Sequence, residues 1–170
     1  MEELRDARGL TESEAIARYR SRNYPKPAMT ADIVVFAREG EGLKVLLIRR
    51  KGHPYIGKLA LPGGFANENE PVEQTAAREL EEETGYQAGC YIPLGKVYPS
   101  PGYCDEIIYL YLATDLTPTA AHPDEDEFLE VEKRDLSLLV QQVLNGDITD
   151  AKTQIAVLKA AQWLRQRKDV

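Results

Sequence analysis

An α+β domain, with helices on both faces of a mixed β-sheet, is the fold this sequence predicts. The apolar runs Ile33–Ala37 and Val45–Ile48 are strand-sized and rich in β-branched and aliphatic side chains. Pro71–Thr84 instead repeats Val72, Ala76, Leu80 and Thr84 at a spacing of four, the buried stripe of a helix. Strands and helices are mixed without the regular βαβ rhythm of a doubly wound sheet. An α/β/α sandwich is therefore favoured.

Taken in order, the chain opens with a short helix. Thr11 is placed to cap it, Glu14 stands three residues on as in a capping box, and the stretch runs to about Arg22. Asn23–Pro27 holds two prolines and breaks it. Residues 1–29 thus read as a helical appendage with a Pro-containing connector, and 30–170 as the body. Asp32–Ala37 and Lys44–Arg50 are separated by Glu39–Gly42, the sequence of a hairpin turn. Pro71 suits the first helical position and Gly85 the residue just past the helix end. Strands are expected at Tyr91–Tyr98, Glu106–Ala113 and Phe128–Lys133. Helices are expected at Leu136–Asn145, stopped by Gly146, and at Ala151–Arg167, capped by Asp150.

Length and composition narrow the function classes. A chain of 170 residues, 43% of them hydrophobic, suits one domain with a sizeable core. Its net charge of −7 argues against tracking a nucleic-acid backbone, which needs a basic face. No apolar run is long enough to span a bilayer, and Met1–Arg22 is charged throughout, unlike a signal segment. Two cysteines, Cys90 and Cys104, make no disulfide framework. A cytoplasmic protein with a small-molecule partner is expected.

The chemistry concentrates in Gly64–Tyr86, GFANENEPVEQTAARELEEETGY. On a helix, Glu79, Glu82 and Glu83 fall at i, i+3 and i+4 and share one face. Three like charges repel there, and they sit in the last turn, where the helix dipole favours cations. Local rules are broken at one place, as expected of a functional site. A divalent cation removes the conflict, and carboxylate-only ligation suits Mg²⁺ or Mn²⁺. Glu70 and Arg78 are placed to pair and brace the preceding loop. Gly63-Gly64 lets the backbone approach a ligand closely.

In register, Gly64, Glu70, Arg78, Glu79, Leu80, Glu82, Glu83, Gly85 and Tyr86 resemble the signature of the Nudix hydrolases. By average composition such a match arises by chance in on the order of one chain in 10⁷ of this size. The loosest fit is Tyr86, aromatic where aliphatics are usual. The resemblance implies a Nudix-type α/β/α sandwich whose strand–loop–helix motif holds Mg²⁺ (Mn²⁺ a possible substitute) against a diphosphate cleaved by water. It puts Glu79, Glu82, Glu83 and the Gly63 carbonyl at the metal, with Arg78 and Glu70 supporting the loop.

Further segments point to the substrate. Tyr98–Glu106 resembles the Ser-Pro-Gly loop and acidic pair of ADP-ribose pyrophosphatases. The resemblance implies that Pro101 and Gly102 shape the cleft, that Glu106 accepts from ribose hydroxyls, and that Tyr103 stacks on adenine or packs. Asp124–Val131 resembles the acidic loop that supplies the general base in those enzymes, with Glu127 the first choice and Glu125 the second. Ile148–Thr153 is similar to the start of their C-terminal helix, whereas residues 1–30 read helical where they carry a β-rich segment. Arg49–Phe65 resembles Nudix domains of NAD metabolism, some of them ADP-ribose-sensing repressors. One of Arg49 and Arg50, by alternation, points toward the cleft as a phosphate ligand, and Arg49 is the candidate. Trp163 and Tyr111 read as core. The implied reaction is hydrolysis of ADP-ribose, or a related nucleoside diphosphate sugar, to AMP and ribose 5-phosphate. A homodimer is implied by the resemblance alone. A non-catalytic ADP-ribose sensor and a hydrolase of modified nucleoside triphosphates are the alternatives.

Overall fold

The structure is a computed structural model, and residues 5–6, 8–20, 28–39, 42–51, 55–102, 104–120 and 129–168 are described. The expected capping box is present. The Thr11 N–H donates to Glu14 Oε2 (2.8 Å) and the Glu14 N–H to Thr11 Oγ1 (3.3 Å), starting α1 (Glu12–Arg20). That helix is described as far as Arg20; the expected end at about Arg22 and the Asn23–Pro27 break lie outside the described residues.

Among the described residues, seven strands form one sheet. β1 (Met29–Glu39) and β2 (Gly42–Arg50) make the expected antiparallel hairpin, in contact from Glu39↔Gly42 to Val35↔Leu46. Beyond that point they splay. The gap is filled by β3 (Leu59–Ala60), paired with β2, and β4 (Gly63–Phe65), paired with β1. β5 (Tyr86–Val97) and β6 (Ile107–Pro118) are antiparallel, and β6 lies parallel to β1. β7 (Leu129–Asp135) covers the other edge of β2.

Alternation along the strands builds two cores, one per face. Ala31, Ile33, Val35, Leu46, Tyr111 and Ala113 pack with Ala76 and Leu80 of α2 (Val72–Thr84). Val34, Val45, Leu47, Leu110 and Leu112 pack on the other face with α3 (Leu136–Leu144) and α4 (Ala151–Lys168). The sandwich of a mixed sheet between helices is as the sequence predicts. Tyr111 is core, its hydroxyl donating to Glu73 Oε1 (3.2 Å), and Trp163 packs at the core margin with Arg167 over its ring. Among the described residues no helix is long and apolar enough to cross a membrane.

Some boundaries differ from expectation. Pro71 is the N-cap of α2, extended at ψ 139°, rather than its first helical residue. β5 starts five residues before Tyr91, directly after the left-handed Gly85 (φ 69°). β6 outruns Ala113 and reaches Pro118. These extra residues pair with each other, from Tyr86↔Pro118 to Cys90↔Thr114, in a largely exposed ribbon. Its half-buried positions carry Tyr86, Ala88, Thr114 and Leu116, a mixed set that gives only a weak period-two signal in the sequence.

Candidate active site

The wedge between β1 and β2 is where the polar chemistry gathers. Gly63 pairs with Asp32 and Gly64 with Ala31, and the short β4 then turns toward the N-terminus of α2. Both positions are crowded, and Gly63 admits nothing but glycine. A Cβ on Gly63 (φ 151°) would stand 2.3 Å from the Ala31 carbonyl oxygen and 2.7 Å from Asp32 Cα. A Cβ on Gly64 would stand 2.5 Å from Glu79 Oε1. The backbone here is thus pressed against β1 on one side and a carboxylate on the other.

α2 supplies that carboxylate and its neighbours. Glu79 and Glu83 are buried, each 6% exposed, and the Glu82 side chain is about a third exposed at 34%. Glu83 Oε2 accepts from the Gly63 N–H at 2.8 Å, tying the helix to the turn. Arg78 is the opposing charge. Its Nη1 lies 2.8 Å from Glu79 Oε1 and 2.9 Å from Glu82 Oε2, its Nε bonds Glu70 Oε1 (3.0 Å), and its Nη2 donates to the Phe65 carbonyl (3.0 Å). The Glu70–Arg78 brace expected from the sequence is therefore present. Its loop is fixed further by Glu70 Oε2, which accepts from the Asn67 N–H (3.0 Å) and the Thr75 hydroxyl (2.9 Å).

These bonds hold the Glu70 carboxyl at about 2, with the Arg78 hydrogen bond the largest cause. A carboxyl lowered from 4.5 contributes stability that is complete above about pH 4.5 and lost as pH falls toward 2. Glu70→Gln should accordingly lower stability at pH 7 by about 2–3 kcal/mol and flatten the acid limb of the stability–pH curve. Urea unfolding at pH 7, 4 and 3 measures both, and an unchanged acid limb would refute the assignment.

The donor set, all carboxylate oxygen on one helix face beside a glycine turn, is of the kind a hard divalent cation takes. Among the described residues no three acidic, histidine or cysteine side chains already converge as a cage. In the arrangement present, Arg78 gives Glu79 and Glu82 their positive partner.

The remaining candidates are dispersed. Arg49 pairs with Glu132 and donates Nη1 to the Gly57 carbonyl (2.6 Å), so its fork holds the 55–58 turn. Pro101 and Gly102 are exposed at a tight turn closed by the Cys104 N–H on the Ser100 carbonyl (2.9 Å). Glu106 is half-buried, its carboxyl raised by desolvation and by the nearby Asp32 charge. Tyr103, Glu125 and Glu127 lie outside the described residues.

One feature of the site had no local signal. Asp32, 2% exposed, faces α4 and takes Lys152 Nζ at 2.9 Å. Burial raises its carboxyl pKa and Lys152 opposes that. Asp32 lies in an apolar strand run and Lys152 in a helix 120 residues away. A charge inside DIVVF was the only available clue.

Comparison with known proteins places this geometry. The NUDIX domain matches residues 26–156. An ADP-ribose pyrophosphatase of Bacillus subtilis is 36% identical over 128 residues, which cover 74% of this chain and 69% of that one. Among solved structures, an ADP compounds hydrolase superposes with a TM-score of 0.72 at 25% identity, covering 88% of this chain and 79% of its own. The NUDIX domain of Shewanella oneidensis NrtR, complexed with ADP ribose, gives 0.62 at 26%, covering 91% and 99%.

Proposed function

Because the chain belongs to the NUDIX family, as a hydrolase acting on a phosphoanhydride bond, we propose that it splits ADP-ribose into AMP and ribose 5-phosphate with Mg²⁺. The observation that carries this reading is the packing of the Glu79–Glu82–Glu83 face against the Gly63–Gly64 turn, braced by Arg78 on Glu70. In the proposal Glu79, Glu82, Glu83 and the Gly63 carbonyl hold the cation. When bound, it would neutralise the diphosphate and lower the pKa of the attacking water. Arg78 bridges Glu79 and Glu82 and keeps the loop in place. Glu106, with Pro101, Gly102 and Tyr103, contacts the nucleoside end, and Glu127 or Glu125 takes the proton from water. Arg49, committed to Glu132 and Gly57, orders the turn beside the cleft rather than reaching a phosphate.

The choice of ADP-ribose is supported by the likeness to the Bacillus subtilis enzyme and by the ADP ribose bound to the NrtR domain. That same likeness favours a second reading, a sensor that binds ADP-ribose without cleaving it. The retained carboxylates favour turnover, since a sensor has no use for them. Purified protein with Mg²⁺ should release AMP from ADP-ribose. A preference of about tenfold or more for a UDP-sugar or oxidised dGTP would move the substrate and keep the chemistry. Binding without turnover in saturating Mg²⁺ or Mn²⁺ would establish the sensor. A homodimer belongs to the same proposal, and sedimentation equilibrium reads it directly.

A further inference from the structure

The Asp32–Lys152 pair sits on the α3/α4 face of the sheet, where its neighbours on β1, Val34 and Phe36, are core hydrophobics. A buried ion pair is poor value as a stabiliser, because an apolar pair of similar volume often does as well or better. Its placement offers another use. The Asp32 side chain, 3% exposed, lies under the Gly63 turn, since a Cβ on Gly63 would be 3.0 Å from Asp32 Cγ and 2.7 Å from its Cα. On its far side Gly63 donates its N–H to Glu83 at 2.8 Å. Lys152 comes from the first turn of α4. That turn is itself fixed by Asp150, whose Oδ2 accepts from the Thr153 N–H (2.9 Å) and hydroxyl (2.6 Å). A continuous path therefore crosses the sheet, from α4 through Lys152 and Asp32 to Gly63, and on to a carboxylate of α2. Glu106 feels the charges of both Asp32 and Lys152, so the candidate nucleoside contact shares this anchor.

We propose that Asp32 and Lys152 are positioning residues, a buried tether that holds the Gly63–Gly64 turn against the carboxylate face of α2 for hydrolysis. The tether rests on the reading of that face as the reacting site, but its mechanical part is separate. The pair sets the conformation of Gly63, whatever nucleotide is cleaved.

The test compares wild type, Lys152→Met, Lys152→Arg and the double variant Asp32→Asn/Lys152→Met. Lys152→Met strands a buried carboxylate and risks unfolding, so the uncharged double variant carries the decision. It should fold with a Tm near that of wild type. In it the Gly63 amide should exchange with deuterium at least about tenfold faster, while amides in the middle of α2 and α4 keep their protection. Its kcat should fall about tenfold or more with KM changed less than about threefold, as expected for a misplaced reacting group. Lys152→Arg should return both readouts to near wild type. A double variant with wild-type exchange at Gly63 and wild-type kcat would overturn the tether. So would exchange that rises uniformly through the molecule, which would make the pair a general stabiliser. Exchange needs no substrate, so if wild type cleaves none of the nucleotides offered, the hydrolase reading fails while the exchange result still decides the tether.

Discussion

Glu82→Gln should lower turnover by on the order of 10³-fold while leaving the fold nearly as stable as wild type. Glutamine keeps the shape of the side chain and removes one negative charge from the face proposed to hold the cation. Two opposing effects act on folding. Glu82 repels Glu79 and Glu83 on the same face, which the substitution relieves. It also accepts from Arg78 Nη1 at 2.9 Å, a charge-assisted bond that becomes a weaker neutral one. The Glu82 side chain is 34% exposed, so neither effect is large, and Tm should move by no more than about 3 °C. Glu81→Gln is the internal control. Glu81 belongs to the same acidic run, but its Oε1 accepts from Gln87 Nε2 (2.9 Å) and the Thr119 hydroxyl (3.2 Å), away from the turn. It should change kcat less than about twofold. If Glu82→Gln kept near-normal activity and an unchanged metal dependence, Glu82 would have no place at the metal. If the two variants lost activity equally, the acidic run as a whole would matter, and the face would not.

That contrast shows how far the sequence reaches. Helical periodicity alone separates Glu79, Glu82 and Glu83 from Glu81, because a helix fixes which residues three and four apart share a side. The Glu70–Arg78 brace, the Thr11–Glu14 box and the β1–β2 hairpin were legible for the same reason, each being a contact between residues close in sequence. The contacts that the chain makes at long range left no such trace. Nothing in residues 29–35 says that their parallel partner is 107–113 rather than another strand. Nothing near Arg49 in the sequence names its partner Glu132, on a strand 83 residues away. Asp32 read as an ordinary strand residue because Lys152, its partner in the core, arrives with the last helix. The resemblance to a family supplied the role of the carboxylates, and the fold supplied what stands behind them.

The two glycines of the turn should separate in the same way, one governing the fold and the other the site. Gly63→Ala places a methyl 2.3 Å from the Ala31 carbonyl oxygen and 2.7 Å from Asp32 Cα, both backbone atoms of a strand paired on each edge. Neither atom can swing aside, and φ 151° is itself costly for any residue with a Cβ. Relief requires β4 to leave β1, which breaks the Gly63–Glu83 bond as well. The expected loss is about 3–5 kcal/mol, which for a chain of this size lowers Tm by roughly 10 °C. Gly64→Ala meets only the end of the Glu79 side chain, at 2.5–2.7 Å, and a carboxylate can rotate away. Its stability should fall by no more than about 1–2 kcal/mol. The displaced Glu79 should nonetheless weaken Mn²⁺ binding about tenfold or more. Thermal unfolding followed by circular dichroism, with Mn²⁺ titration by calorimetry, reads both effects. The ordering is the test. A Gly64 variant less stable than the Gly63 variant, or one binding Mn²⁺ as wild type does, would mean that Glu79 is not held against this turn.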